Sequence, residues 1–282
     1  MKPAKSIKMW VSDLDGTLLE KNGRISQANL EVFRKLGREK VIRVIATGRN
    51  LFSFTRVLPP ESLPLDYLVF ATGTGILDIQ SRELIYRKCF AQDDVIRIGR
   101  ILIEKEISFM IQAAVPDNHY FHFTEGRRVS EDFKRRLEVY DGFGSPLQSL
   151  DQLKETSQFL AILDGGLSEL QQLSPLFRDY RIIRTTSPLD HKSTWMEIFP
   201  QEVSKGEAVN FLAGRHGIHS NEVLCVGNDY NDVEMLDYAG LAFVTDNAPS
   251  DLKQTYIPVC HPKEDVLPFI HHWLHKSAQY PL

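Results

Sequence analysis

The pattern of apolar and polar positions changes texture twice along this chain. Near the start, Ile7 to Val11 is an apolar run broken only by Lys8, as expected of a buried strand that ends at a polar, glycine-containing segment. Leu18-Leu19 follows, and then Asn22-Gly23, a tight-turn signal. Ser26 is placed to cap a helix reaching about Glu39, with Leu30, Phe33 and Leu36 on one stripe. Val41 to Ala46 is rich in β-branched residues and predicts the next strand, and Asp66 to Phe70 a third. A strand–helix–strand order of this kind predicts an α/β unit built on a parallel, doubly wound sheet.

From about Leu84 to Pro188 the pattern differs. Strand-like pieces such as Ser108 to Gln112 and Tyr120 to Phe123 alternate with helical ones, Asp93 to Glu106 and Ser130 to Val139, and Asp141 to Ser145 reads as a loop. The expectation is an inserted α+β domain over 84–188. From Met196 the first texture returns. Lys205 to His216 predicts a helix ending near Gly217, Glu222 to Val226 a buried strand, and Val233 to Tyr238 a helix. Leu241 to Val244 predicts another strand and Glu264 to His275 a terminal helix. Residues 1–83 and 189–282 are therefore expected to form one domain interrupted by the insert.

Composition narrows the setting. Of 282 residues, 43% are hydrophobic and 25% charged, so the chain can bury a sizeable core without staples. A formal net charge of -4 gives no global basic footprint for nucleic acid. No apolar run approaches the roughly 18 residues that span a membrane, and Met1 to Trp10 lacks the apolar core of a signal peptide. Cys89, Cys225 and Cys260 are odd in number and widely spaced, which predicts neither disulfides nor a metal cluster, and a cytoplasmic location is the expectation.

Four polar groups fall where strands end or helices begin, which is where open α/β sheets bind ligands. Asp13-Leu14-Asp15-Gly16-Thr17 leaves the first strand. Two carboxylates two residues apart can converge on one point, one attacking phosphorus while the other handles a proton, and both can serve a hard cation. Ala46-Thr47-Gly48-Arg49 puts a hydroxyl and backbone N–H groups at a strand end, chemistry that suits phosphate oxygens. In Val203-Ser204-Lys205-Gly206-Glu207 a lysine near a helix N-terminus opposes the helix dipole, which makes sense if both face an anion. Gly227-Asn228-Asp229-Tyr230-Asn231-Asp232 offers carboxylates and amides to a cation, and a partner to the lysine. Taken singly, each is also an ordinary turn, connection, surface lysine or helix cap.

In this order the four groups resemble the four motifs of haloacid dehalogenase (HAD) superfamily phosphatases, specifically the Cof-like branch that includes sucrose-phosphatase-like enzymes. Phe70 to Asp78 and Asn247-Ala248 are similar to further segments of that branch. The resemblance implies a Rossmann-like core with an inserted α/β (type IIB) cap, and a magnesium-dependent phosphatase acting on small phosphate monoesters, sugar phosphates among them. It implies Asp13 as nucleophile and Asp15 as general acid and base, the latter also ligating magnesium through its backbone carbonyl. Thr47, the Gly48 amide, Lys205 and Asn231 are implied as phosphate-binding groups, and Asp232 as the residue that orients Lys205 or a metal-bound water. The fourth motif departs from the family pattern. Asn228 stands where a metal-binding aspartate is usual, so the expected metal set is Asp13, Asp15 and Asn228, with Asp229 as the alternative ligand. A phosphomutase and a non-catalytic phosphometabolite-binding protein remain open as alternatives. Within the insert, Asn118, His119, Tyr120, His122, Arg127 and Arg128 lie close in sequence and could contact substrate, or simply form an amphipathic strand and a basic loop.

Overall fold

Met9, Trp10 and Val11 are wholly buried, which is what a central strand covered on both faces requires. They form β1 (Met9–Ser12), flanked on one side by β2 (Ile42–Ala46) and on the other by β12 (Val223–Gly227), both parallel to it. The computed structural model describes residues 7–19, 23–187, 189–190, 192–259 and 265–279, the side chains of 277–279 excepted. Asn22 of the expected turn, Pro188, Cys260 and the helix start expected at Glu264 therefore lie outside the described residues.

By internal contacts the chain divides into two units. The first comprises Met1–Arg49, Ser53–Tyr86 and Ser204–Leu282, and the second Asn50–Phe52 and Arg87–Val203.

The first unit is built on a sheet of order β14-β13-β12-β1-β2-β3-β4-β5. Besides β1 and β2 its residues before the insert supply α1 (Gln27–Arg38), most of α2 (Leu51–Val57), β3 (Tyr67–Phe70), β4 (Gly75–Asp78) and all but the last residue of β5 (Leu84–Arg87). The second stretch supplies α6 (Lys205–Arg215), β12, α7 (Val233–Tyr238), β13 (Leu241–Thr245), α8 (Ser250–Thr255), β14 (Ile257–Val259) and α9 (Val266–Gln279). Strands β14 to β3 run parallel, and β4 turns back antiparallel on β3. The expected cap of α1 is present, with Ser26 accepting from Asn29 N at 3.1 Å. One face of the sheet joins Met9, Val11, Val44, Val69 and Cys225 to Val209 and Leu212 of α6 and Met235 of α7 in one core.

The second unit carries its own sheet, of order β10-β11-β9-β6-β7-β8. Its elements are α3 (Gln92–Glu104), β6 (Phe109–Ala113), β7 (Phe121–Thr124), α4 (Glu131–Val139) and β8 (Gly144–Pro146). They continue with β9 (Thr156–Leu163), α5 (Gly166–Leu173), β10 (Arg181–Thr186) and β11 (Thr194–Phe199). Helices α3 and α5 cover one face through Val95, Ile98, Leu102, Leu170 and Leu173 against Phe109, Phe159 and Met196. Helix α4 covers part of the other, with Phe133 on Met110, Leu160, Ile162 and Trp195. Asp132 secures that helix by accepting from Trp195 Nε1 at 2.6 Å and Ser187 Oγ at 3.0 Å.

The boundaries differ from those expected at 84 and 189. Strand β5 belongs to the first unit's sheet, while β11 pairs antiparallel with β9 and β10 and so belongs to the second. The return to the first unit comes at Ser204. The expected loop at Asp141 to Ser145 runs into β8, which pairs parallel with β7.

Candidate active site

Strand order brings the motifs together. Strands β12, β1 and β2 are neighbours, so the residues that leave their carboxyl ends, Asn228, Asp13 and Thr47, emerge side by side. The ladder holds through the exits, since Asp13 N donates to Val226 O and Thr47 N to Val69 O, each at 2.9 Å.

Lys205 opens α6 and is fully buried. Its Nζ donates to Asp13 Oδ1 and to Asp232 Oδ1, both at 2.6 Å. This accounts for a lysine at a helix N-terminus, where the dipole alone would disfavour it. Asp232 is equally buried, and its second oxygen accepts from the backbone N–H groups of Asn228 (2.8 Å) and Asp229 (3.1 Å), fixing the loop after β12. One ammonium thus serves two buried carboxylates. Burial raises the pKa of Asp13 to about 7, Lys205 opposing the shift and Asp232 adding to it. Burial works against the Lys205 ammonium, but the two carboxylates outweigh it and its pKa is held above the usual lysine value.

Gly73 seats this lysine. It has φ of +98°, and a Cβ built on it would lie 2.1 Å from Ser204 O. The backbone around Thr72 therefore passes directly under the start of α6, with Ala71 and Thr72 themselves at positive φ. Ser204 caps the helix by accepting from Glu207 N at 3.1 Å.

Asn228 is the test of whether a magnesium ion fits. The end of its amide that faces Asp13 and Asp15 lies 3.1 Å from Asp13 Oδ2 and 3.0 Å from Asp15 O. Both neighbours are acceptors, so without a cation this end is the NH2, donating to both. Turned over, it presents oxygen, with the Thr17 hydroxyl donating to it at 3.3 Å. The amide oxygen then stands 3.1 Å from Asp13 Oδ2 and 3.0 Å from the Asp15 carbonyl oxygen, close to the spacing of neighbouring ligands in an octahedron with bonds of roughly 2.1 Å. A carboxylate, a carbonyl and an amide oxygen are donors suited to a hard cation. Gly16, at φ +77°, is needed here because a Cβ would lie 2.5 Å from the Asn228 amide. Asp229 is used differently: its Oδ1 accepts from Tyr230 N at 2.8 Å and caps the following turn.

Asp15 is about half exposed, and Arg49 grips it with two bonds, Nε to Oδ2 at 2.8 Å and a terminal nitrogen to Oδ1 at 2.7 Å. Arg49 was not singled out from the sequence, although it closes the second motif. Thr47 is fully buried, and its Oγ1 accepts from Arg49 N at 3.1 Å. Gly48 faces Thr72 and Asn231, whose polar atoms would stand 3.6 and 3.7 Å from a Cβ at that position. Thr72 thus joins the site, while Asn247 supports it by donating to Gly16 O at 3.1 Å.

The residues considered in the insert are not brought to one place. Asn118 is buried with an unpartnered Oδ1, and His119 sits against the rings of Tyr120 and Phe143, where burial lowers its pKa. His122 contacts Ser145 at 3.0 Å. Arg127 and Arg128 lie beyond the opposite end of β7, Arg127 being exposed.

Comparison with known proteins identifies the family. Residues 10–265 match the haloacid dehalogenase-like hydrolase family, and the chain belongs to it. It is 26% identical to the 5-amino-6-(5-phospho-D-ribitylamino)uracil phosphatase of Bacillus subtilis, over 97% of this chain and 100% of that protein. It is also 26% identical to the HMP-PP phosphatase of an Enterobacter species, over 93% and 94% respectively. Among solved structures it resembles a HAD-superfamily phosphatase from Bacteroides thetaiotaomicron, with a TM-score of 0.78, 18% identity and 95% of each chain covered. A HAD subclass IIB sugar phosphatase gives a TM-score of 0.73 at 17% identity, covering 94% of this chain and 98% of that one. The α/β fold with a mainly parallel core sheet and a second, mixed cap sheet is that of subclass IIB. No helix among the described residues is long and apolar enough to cross a membrane.

Proposed function

We propose that this HAD-family hydrolase of phosphate monoesters is magnesium-dependent and works through an aspartyl-phosphate on Asp13. The observation that carries the reading is the buried Asp13–Lys205–Asp232 triad beside the Asn228 amide. In it, Asp13 Oδ1 is fixed by Lys205 while Oδ2 points to the convergence of Asn228 and the Asp15 carbonyl. Phosphoryl transfer asks a protein mainly for positioning and charge stabilisation, and each part has a residue. Asp13 attacks phosphorus, and the ester oxygen leaves with a proton from Asp15. Asp15 then takes a proton from the water that opens the acyl phosphate. Thr47, the Gly48 amide and Asn231 hold phosphoryl oxygens, and Lys205 balances their charge while Asp232 keeps it aimed. Bound magnesium, held by Asp13, the Asp15 carbonyl and Asn228, supplies charge neutralisation at the phosphoryl oxygens.

The substrates are small phosphorylated metabolites, and sugar phosphates are the class we favour. The subclass IIB fold supports that choice. The ribitylaminouracil ester named for the Bacillus relative also joins a phosphate to a hydroxylated chain. The inserted unit acts as the cap that selects among such esters, since the catalytic groups all belong to the first unit. A phosphate-release screen over sugar phosphates, the ribitylaminouracil phosphate and p-nitrophenyl phosphate, with magnesium and with chelator, tests the reading. Magnesium-dependent release is expected. Release that survives complete chelation, or none from any ester, contradicts it.

A further inference from the structure

The terminal helix α9 is held firmly at its start. Asp265 Oδ2 accepts from Ser26 Oγ at 2.6 Å, and Leu267 N donates to Asn29 Oδ1 at 3.0 Å, so its first turn is tied to the start of α1. Leu267 and Ile270 are wholly buried, and Trp273 meets Phe243 of β13 edge to face, with ring centroids 5.3 Å apart. The turns that follow carry three histidines on their other positions, the half-buried His271 and the exposed His272 and His275.

His271 and His275 are four residues apart and so stand one above the other on the helix surface. Their rings meet at 66° with centroids 4.4 Å apart, and their Nε2 atoms lie 3.2 Å from each other. Both rings thus turn the same nitrogen towards one point. As neutral imidazoles they share one proton there, one Nε2–H donating to the lone pair of the other. A hydrogen bond at the surface mostly replaces one with water and contributes little to folding.

The same separation suits a cation. In tetrahedral zinc sites, with Zn–N bonds of roughly 2.0–2.1 Å, neighbouring nitrogens stand about 3.3–3.4 Å apart, and in an octahedron of such bonds about 2.9 Å. The pair at 3.2 Å falls between the two. A cation replaces the shared proton once the rings pivot to bring both lone pairs onto it. Two histidines at this spacing are also the ligand pair of helical zinc motifs. Here the residue after the first histidine is His272 rather than a glutamate, so the helix offers binding without a general base.

The surroundings keep the lone pairs available. Burial, Lys35 of α1, His275 and His272 hold the His271 pKa below the ordinary histidine value, against the opposing charge of Glu39 at the end of α1. No group of three or more His, Cys, Asp or Glu side chains suited to a metal occurs among the described residues. The pair therefore supplies two ligands, and water the remainder.

We propose that His271 and His275 form a two-point clasp for a late first-row divalent cation of the zinc, nickel and copper class, and that the bound ion pins the later turns of α9. Imidazole nitrogen suits these ions, whereas magnesium demands oxygen. The clasp is thus chemically distinct from the oxygen-lined convergence of Asp13, Asp15 and Asn228, and it does not depend on the phosphatase reading.

The test titrates zinc chloride into tag-free, metal-stripped, full-length protein by calorimetry, with magnesium present throughout to occupy the oxygen site. Wild type is compared with His271→Gln, His275→Gln and His272→Gln. With half the ligands of a structural zinc site, one ion per chain is expected to bind with a dissociation constant on the order of 1–100 µM. His271→Gln and His275→Gln should each weaken this roughly tenfold or more, and His272→Gln should leave it unchanged. Because His275 is exposed, its replacement keeps the test open even if His271→Gln disturbs the packing against α1. Copper(II) gives an independent readout. Bound beside Trp273 it should quench part of the tryptophan emission, and the quenching should vanish in His275→Gln. Zinc affinity weaker than about 1 mM, affinity unaltered in His275→Gln, or an equal loss in His272→Gln overturns the proposal. None of these outcomes bears on hydrolysis, so the phosphatase reading stands or falls separately.

Discussion

Replacing the nucleophile should make the metal-free protein more stable at pH 8. Asp13 and Asp232 share the single ammonium of Lys205 and are almost wholly buried, so one buried negative charge is left over. That surplus appears as an Asp13 pKa raised from 3.8 to about 7, burial being the main cause. The displacement corresponds to something on the order of 4 kcal/mol of differential stability. Because the folded-state pKa is the higher one, the stabilising contribution is complete below about pH 4 and is lost as pH rises through about 7. At pH 8 the wild-type triad carries the full penalty. In Asp13→Asn, Lys205 keeps a hydrogen-bond acceptor and pairs with Asp232 alone. Thermal melts in chelator at pH 5 and pH 8 measure the effect. The variant should melt higher than wild type by about 5 °C or more at pH 8, and the gap should narrow at pH 5, where folded wild type has taken up its proton. Magnesium at pH 8 should raise the wild type more than the variant. A variant that melts lower than wild type at pH 8, or a gap independent of pH, would refute the reasoning.

Four further results are expected. Asn228→Asp should tighten the magnesium dependence of activity and Asn228→Ala weaken it, with Asp229→Ala the smaller effect, read from magnesium titrations of phosphate release. Asp15→Asn should reduce kcat roughly 10²–10⁴-fold. Arg49→Ala should move stability by less than about 1 kcal/mol, as for partly exposed pairs, yet lower kcat by freeing the Asp15 carboxylate, as steady-state kinetics and melts together would reveal. Gly73→Ala should destabilise by about 1–3 kcal/mol through overpacking against Ser204, and kcat should fall with it because Lys205 moves, as denaturant unfolding and turnover measured on the same preparation would show.

The sequence disclosed most where the signal is local. Lys205 was conspicuous because it violates the preference of its own helix, and its two acceptors explain the violation. Asp13, Thr47 and Asn228 could be placed at strand ends from their flanking apolar runs, but their convergence depends on β12, β1 and β2 being neighbours. That order is set by pairings between segments far apart in the chain. The same reason hid the pairing of Arg49 with Asp15, 34 positions away. It also misplaced the domain boundary at 189: Thr194–Phe199 is as apolar as a core strand, and only antiparallel pairing with β9 and β10 assigns it to the cap. Gly73 gave no signal beyond being a glycine, since its necessity comes from the Ser204 carbonyl packed against it.

The central claim is a covalent phosphoryl group on Asp13, and the most direct measurement is rapid acid quench during turnover followed by peptide mass spectrometry. With a good substrate and magnesium, the peptide spanning residues 9–24 should carry one phosphoryl group, located on Asp13, labile to hydroxylamine and absent from Asp13→Asn. Phosphate trapped on a different residue, or steady turnover by Asp13→Asn, would contradict the account.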